Sequence, residues 1–69
     1  MDSKDKAIAK RIKQYRKQSG LTQVALSEKM GVDSNTISRI ENCRHQPSRE
    51  TVENLAKAFG VTVTDILGR

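Results

Sequence analysis

Ser34, Asn35, Ser38 and Arg39 stand at the spacing of one helix face. Their side chains mix donors and acceptors instead of repeating one charge. An Asn amide can bridge the N6/N7 edge of adenine, and an Arg guanidinium the O6/N7 edge of guanine. A serine hydroxyl can donate or accept. The chemistry open to this set is hydrogen bonding to base edges in a major groove. An ordinary solvated helix face offers the same residue types, so the surrounding elements must decide.

A second set has the chemistry of phosphate binding. Gln23 stands at the start of an expected helix, where free N–H groups and the positive end of the dipole favour an anion, and its amide adds a donor. Asn42 and Arg44 follow the helix that carries the first set and could grip a phosphate beside it. Such contacts set register and carry no sequence information. A third pair is structural. Arg16 lies four residues past Ile12 and Glu41 one past Ile40, so two opposite charges border two apolar stripes. An ion pair joining those helices is expected, one that fixes geometry more than it adds net stability.

The elements that position these residues follow from apolar spacing and end signals. Ile8, Ile12 and Tyr15 give one face of a first helix from about Asp5 to Gln18, ended by Gly20. Lys6, Lys10, Lys13 and Lys17 form a separate stripe, facing solvent or a phosphate backbone. Thr22 caps a short second helix with Leu26 and Met30 inward, stopped by Gly31. Asp33 caps a third, with Ile37 and Ile40 inward and the mixed polar set outward. About three residues join these two helices. Asn42 to Pro47 form a loop, and Ser48 caps a fourth helix carrying Val52, Leu55, Ala56 and Phe59. Thr62 to Asp65 have a capping-box shape ahead of Ile66 and Leu67. Strand signals are almost absent beyond Val61-Thr62-Val63. The expected fold is all-α, five short helices in one domain over residues 1–69 with its core in about 8–67.

Composition narrows the function class. Sixty-nine residues are 35% apolar, with Tyr15 and Phe59 as the two aromatics, so the core must be aliphatic and small. The net charge of +5 favours a polyanionic partner. Residues 1–20 hold seven Lys/Arg against two Asp, which equals that whole excess. One cysteine excludes an internal disulfide and fits a reducing, cytoplasmic setting. No run reaches membrane-span length and the start lacks a signal peptide's apolar stretch. No P-loop, metal-ligand cluster or nucleophile–base pair is present, so an enzyme is not expected, nor a cofactor, metal or small-molecule ligand.

A steeply crossed pair of short helices with a tight Gly-containing turn can place its second helix in the major groove. The run Gly20-Leu21-Thr22-Gln23, Leu26, Gly31-Val32, Thr36-Ile37-Ser38-Arg39-Ile40-Glu41, Pro47-Ser48, Leu55-Ala56, Phe59-Gly60-Val61 and Ile66-Leu67 resembles the Cro/repressor-type, or XRE, helix-turn-helix family. The resemblance covers roughly Ile8 to Leu67. It implies a lambda-repressor-like DNA-binding domain whose helix-turn-helix is formed by helices two and three. It further implies a sequence-specific transcription regulator, a repressor binding a palindromic operator as a homodimer.

Residue by residue, the resemblance assigns Gln23, Thr36, Asn42 and Arg44 to phosphate and Ser34, Asn35, Ser38 and Arg39 to bases. It also assigns Arg16 and Glu41 to a structural pair. Val61, Val63, Ile66 and Leu67 become candidates for a dimer contact, although some of these must also close the core. The alternatives are an antitoxin or protein-bridging module on the same fold, or a restriction–modification controller that both activates and represses. A toxin-binding arm would need residues outside the five helices, and the 69 residues leave few.

Three positions depart from the family pattern. Ser27 replaces a small apolar residue and is expected to bond back to its own helix. Val24 replaces a polar residue, either as an exposed apolar side chain or as part of a contact patch. Cys43 stands where Gly is frequent after the third helix. If the chain there needs positive φ, either Cys43 bears the steric cost or Asn42 takes that conformation instead.

Overall fold

Each helix after the first begins at a short polar side chain that takes up a free backbone N–H. The computed structural model describes residues 3–68, with side chains from Lys6 onward. The elements are α1 (Ser3–Gln18), α2 (Gln23–Met30), α3 (Ser34–Glu41), α4 (Arg49–Phe59) and α5 (Val63–Leu67). Thr22 Oγ1 accepts from the Ala25 N–H at 3.0 Å, and Asp33 Oδ1 from the Asn35 N–H at 3.0 Å. Ser48 Oγ accepts from the Thr51 N–H at 3.2 Å. Thr62 and Asp65 form the reciprocal capping box, at 3.1 and 3.0 Å. The four expected caps are thus the observed ones. The first helix starts two residues ahead of the expected Asp5, within the usual play of a helix end. No strand occurs among the described residues.

The apolar stripes meet in one core. Ile12, Leu26, Ile37, Ile40, Leu55 and Ile66 are fully buried, one or two from every helix. Burying each such side chain contributes roughly 1.5–3 kcal/mol. Tyr15 and Phe59 stack at its edge with ring centroids 6.0 Å apart. The three residues Gly31-Val32-Asp33 join α2 to α3, which pack on each other most extensively of any pair. α1 lies across α3, α4 and α5. Ser27, where the resemblance expects a small apolar residue, is buried, and its hydroxyl donates to the Val24 carbonyl at 2.6 Å. The hydroxyl is thereby satisfied within its own helix, as expected.

The end of α3 settles the alternative left open at positions 42 and 43. Asn42 has φ −96°, so it does not take the left-handed conformation; Cys43 does, at φ 59°. The reason lies in how the helix closes. The Cys43 N–H donates to the Ile40 carbonyl at 3.2 Å and the Arg44 N–H to the Arg39 carbonyl at 2.8 Å. This paired closure needs its left-handed residue at position 43. α1, α2 and α4 close by the same two bonds with Gly20, Gly31 and Gly60 at the matching place. Cys43 carries a Cβ where the other three have none, a strain of about 1 kcal/mol. Cys43→Gly should therefore raise stability by about 0.5–1 kcal/mol. A higher urea midpoint with unchanged slope is the expected reading, and a lower midpoint would show that the half-buried side chain outweighs the strain.

Candidate nucleic-acid interface

The base-reading candidates stand together on the surface of α3. Asn35 and Arg39 are exposed, while Ser34 and Ser38 are half-buried beside them. Ile37 and Ile40 are sunk in the core on the other side. α3 has eight residues, so it is about 12 Å long and spans roughly four base pairs. The Asp33 cap fixes its first turn, and the Thr36 N–H donates to the Asp33 carbonyl at 2.9 Å.

What holds this face in place is a buried charge network. Arg16 Nε donates to Glu41 Oε2 at 2.6 Å and Arg16 Nη2 to Glu41 Oε1 at 3.1 Å, a two-pronged pair joining α1 to α3. The Arg16 side chain is 12% exposed and that of Glu41 1%. The expected structural pair is present, and two further bonds were not foreseen. Arg16 Nη1 donates to the Leu21 carbonyl at 2.9 Å, tying α1 to the turn before α2. Gln23 Nε2 donates to Glu41 Oε1 at 3.2 Å. One carboxylate thus receives donors from α1 and α2 while rooted in α3. Nothing in the local sequence announces the Gln23–Glu41 bond, because the two residues stand 18 positions apart and meet only through tertiary packing.

The phosphate candidates fall at two edges of α3. Gln23 is half-buried at the start of α2. Thr22 covers the Ala25 N–H, while the N–H groups of Gln23 and Val24 lie in the first turn, ahead of any carbonyl partner in their helix. Thr36 is half-buried on α3. Asn42 and Arg44 are exposed at the opposite edge. Asn42 Nδ2 donates to the Ser38 carbonyl at 2.8 Å and lies 3.3 Å from Ser38 Oγ. Its amide therefore closes the end of α3 in the free protein instead of pointing to solvent. Val24, 55% exposed, stands beside Gln23 as an uncovered apolar side chain.

The dimer candidates divide. Ile66 is 0% exposed and belongs to the core, so its assignment as a dimer contact is corrected: no surface is left on it for a partner. Val61, Val63 and Leu67 are half-buried and pack against that core. No described helix is long and apolar enough to cross a membrane.

Comparison with known proteins fits this geometry. A helix-turn-helix family model matches residues 12–66. The immunity repressor protein of Bacillus phage phi105 is 41% identical over 61 residues, which cover 88% of this chain and 42% of that protein. Antitoxin PezA of Streptococcus pneumoniae is 36% identical over 61 residues, 88% of this chain and 39% of that protein. The chain therefore spans only about two-fifths of either relative. The crystal structure of SinR, the master regulator for biofilm formation, in complex with DNA superposes with a TM-score of 0.80 at 39% identity, covering 87% of this chain and 97% of that one. With a lambda-repressor-like arrangement of five helices and α2 and α3 as its central pair, the chain belongs to the helix-turn-helix family of DNA-binding transcription regulators.

Proposed function

We propose that the chain is a repressor that reads a two-fold symmetric operator as a homodimer in the cytoplasm, with α3 in the major groove. The observation that carries this is the face of α3, where Asn35 and Arg39 project outward while Glu41 on the same helix is anchored by Arg16 and Gln23. A reading helix works only if its register is fixed, and this network fixes it from two neighbouring helices. Ser34, Asn35, Ser38 and Arg39 read bases. Gln23, Thr36, Asn42 and Arg44 hold phosphates, Asn42 after releasing or sharing its bond to Ser38. The longest extent of the molecule is 28 Å. Two reading helices on one operator stand roughly 34 Å apart, one DNA turn. That one copy is shorter than this spacing supports a second copy on the operator, with Val61, Val63 and Leu67 as its proposed contact.

The direct test is selection of bound sequences from a random duplex library at near-physiological salt. An enriched symmetric motif supports the reading, and absence of enrichment removes it. Arg39→Ala is then expected to cost about 1–3 kcal/mol on the selected operator and to relax preference at one base pair. Equal weakening on operator and random duplex would take Arg39 out of the base-reading set. The similarity to antitoxin PezA supports a second reading, a DNA-binding module that also holds a protein partner.

A further inference from the structure

The first helix carries the densest charge of the chain, and the interface above leaves it unused. From Lys6 to Gln18 there are six Lys/Arg and no Asp or Glu. Lys6, Lys10, Lys13 and Lys17 are all exposed. Their spacing keeps them on one face of α1. The ion pairs of the described residues, Arg16–Glu41 and Arg49–Glu53, do not draw on this stripe. Like charges three and four residues apart repel, at roughly 0.2–0.5 kcal/mol per pair. Solubility asks for charge but not for alignment. An aligned row with no ion-pair partner among the described residues costs helix stability, and a polyanion lying along it would reverse the sign of that term.

The row is aimed by Arg16. Its guanidinium binds the Leu21 carbonyl and Glu41, and Glu41 also holds Gln23 at the start of α2. The last turns of α1 are therefore tied to the turn before α2 and, through Glu41, to Gln23 at its start, the proposed phosphate-facing edge of the interface. Lys13 stands one turn before Arg16 and Lys17 directly after it, both on the solvent side of this joint. From Lys6 to Lys17 the stripe runs roughly 17 Å, the length of about five base pairs.

We propose that Lys13 and Lys17 bind the phosphate backbone of duplex DNA flanking the bases read by α3, on the strand that passes the first turn of α2. Lys6 and Lys10 continue the same track outward. The inference rests on the DNA reading above and adds to it a flanking, sequence-independent contact. It makes the operator longer than the bases it specifies. It also makes binding steeper in salt than the contacts around α3 alone would give.

The test is a salt titration of the full chain on its selected operator, with and without flanking duplex, and on a random duplex. For Lys13→Gln/Lys17→Gln, the slope of log K against log salt should fall by roughly two units on the flanked operator. Near physiological salt, affinity should drop about 30-fold, equally on flanked operator and random duplex, so that the preference ratio stays constant. Trimming the flanks should abolish the difference between variant and wild type, and Lys13→Arg/Lys17→Arg should restore wild-type binding. Circular dichroism confirms that the variants fold. An unchanged slope, a difference that persists on the trimmed operator, or a lost preference ratio would each overturn the proposal. So would binding to phosphatidylserine vesicles that needs the lysines while the DNA slope does not. If the wild type shows no sequence preference at all, the base-reading proposal fails, and the slope on random duplex still decides the lysines.

Discussion

Glu41→Ala should cost about 3–5 kcal/mol of folding stability, against a total of the order of 5 kcal/mol for a domain of this size. The expectation follows from what remains behind. Arg16 is 12% exposed on its side chain and would keep a positive charge with the Leu21 carbonyl as its named partner. Gln23 would lose its acceptor as well. The loss of one partner is far worse than the loss of both. Arg16→Met with Glu41→Leu exchanges the charges for apolar volume and should recover most of the stability, because the desolvation of two ions disappears with them. Urea denaturation followed by circular dichroism measures each variant. A Glu41→Ala protein within about 1 kcal/mol of wild type would mean that water reaches Arg16 and screens it. The double variant has a second use. With its fold intact but its network gone, weakened operator binding would show that the network positions α3 and does not merely stabilise it.

Ile66→Ala should cost about 2–5 kcal/mol, and the cost should be the same at every protein concentration. Ile66 is completely buried within a five-residue helix. Its truncation leaves a cavity that a helix so short can close only by moving as a whole. Unfolding measured at two well-separated concentrations distinguishes core from interface. A core residue shifts both curves alike, while a residue at a dimer contact shifts the dilute sample less once the dimer has already dissociated. A concentration-dependent loss would return Ile66 to the interface, against its complete burial.

These two residues mark what the sequence made legible and what it did not. Helix starts were legible because a cap is a local event: Thr22, Asp33, Ser48 and Thr62 each bond a backbone N–H two or three residues ahead. The Arg16–Glu41 pair was legible because each charge borders an apolar stripe whose period was clear. Ile66 was not separable from Leu67, since α5 is too short for a period to define its inner face. The hold of Glu41 on Gln23 was hidden for another reason. The two are 18 residues apart, and the direction of an amide side chain is set by tertiary packing. Position 43 was half legible. The odd residue was visible, but its φ depended on which carbonyls the end of α3 would return to. Of the candidate interface, the exposure of Asn35 and Arg39 was readable from periodicity, while the half-burial of Ser34 and Ser38 was not. Under the proposed reading, the preferred bases would depend on side-chain reach into a groove, which no pattern of residue types contains.

The division of labour within α3 bears on how such a protein can change over generations. Ile37, Ile40 and Glu41 bind the helix to its neighbours, while Asn35 and Arg39 stand outside the core. Exchanges at exposed positions of this kind shift stability by only about 0.5 kcal/mol in either direction. If Asn35 and Arg39 read bases as proposed, descendants can drift from one target sequence to another through intermediates that all fold. Duplicated copies would be free to diverge in the DNA they recognise while sharing an unaltered scaffold.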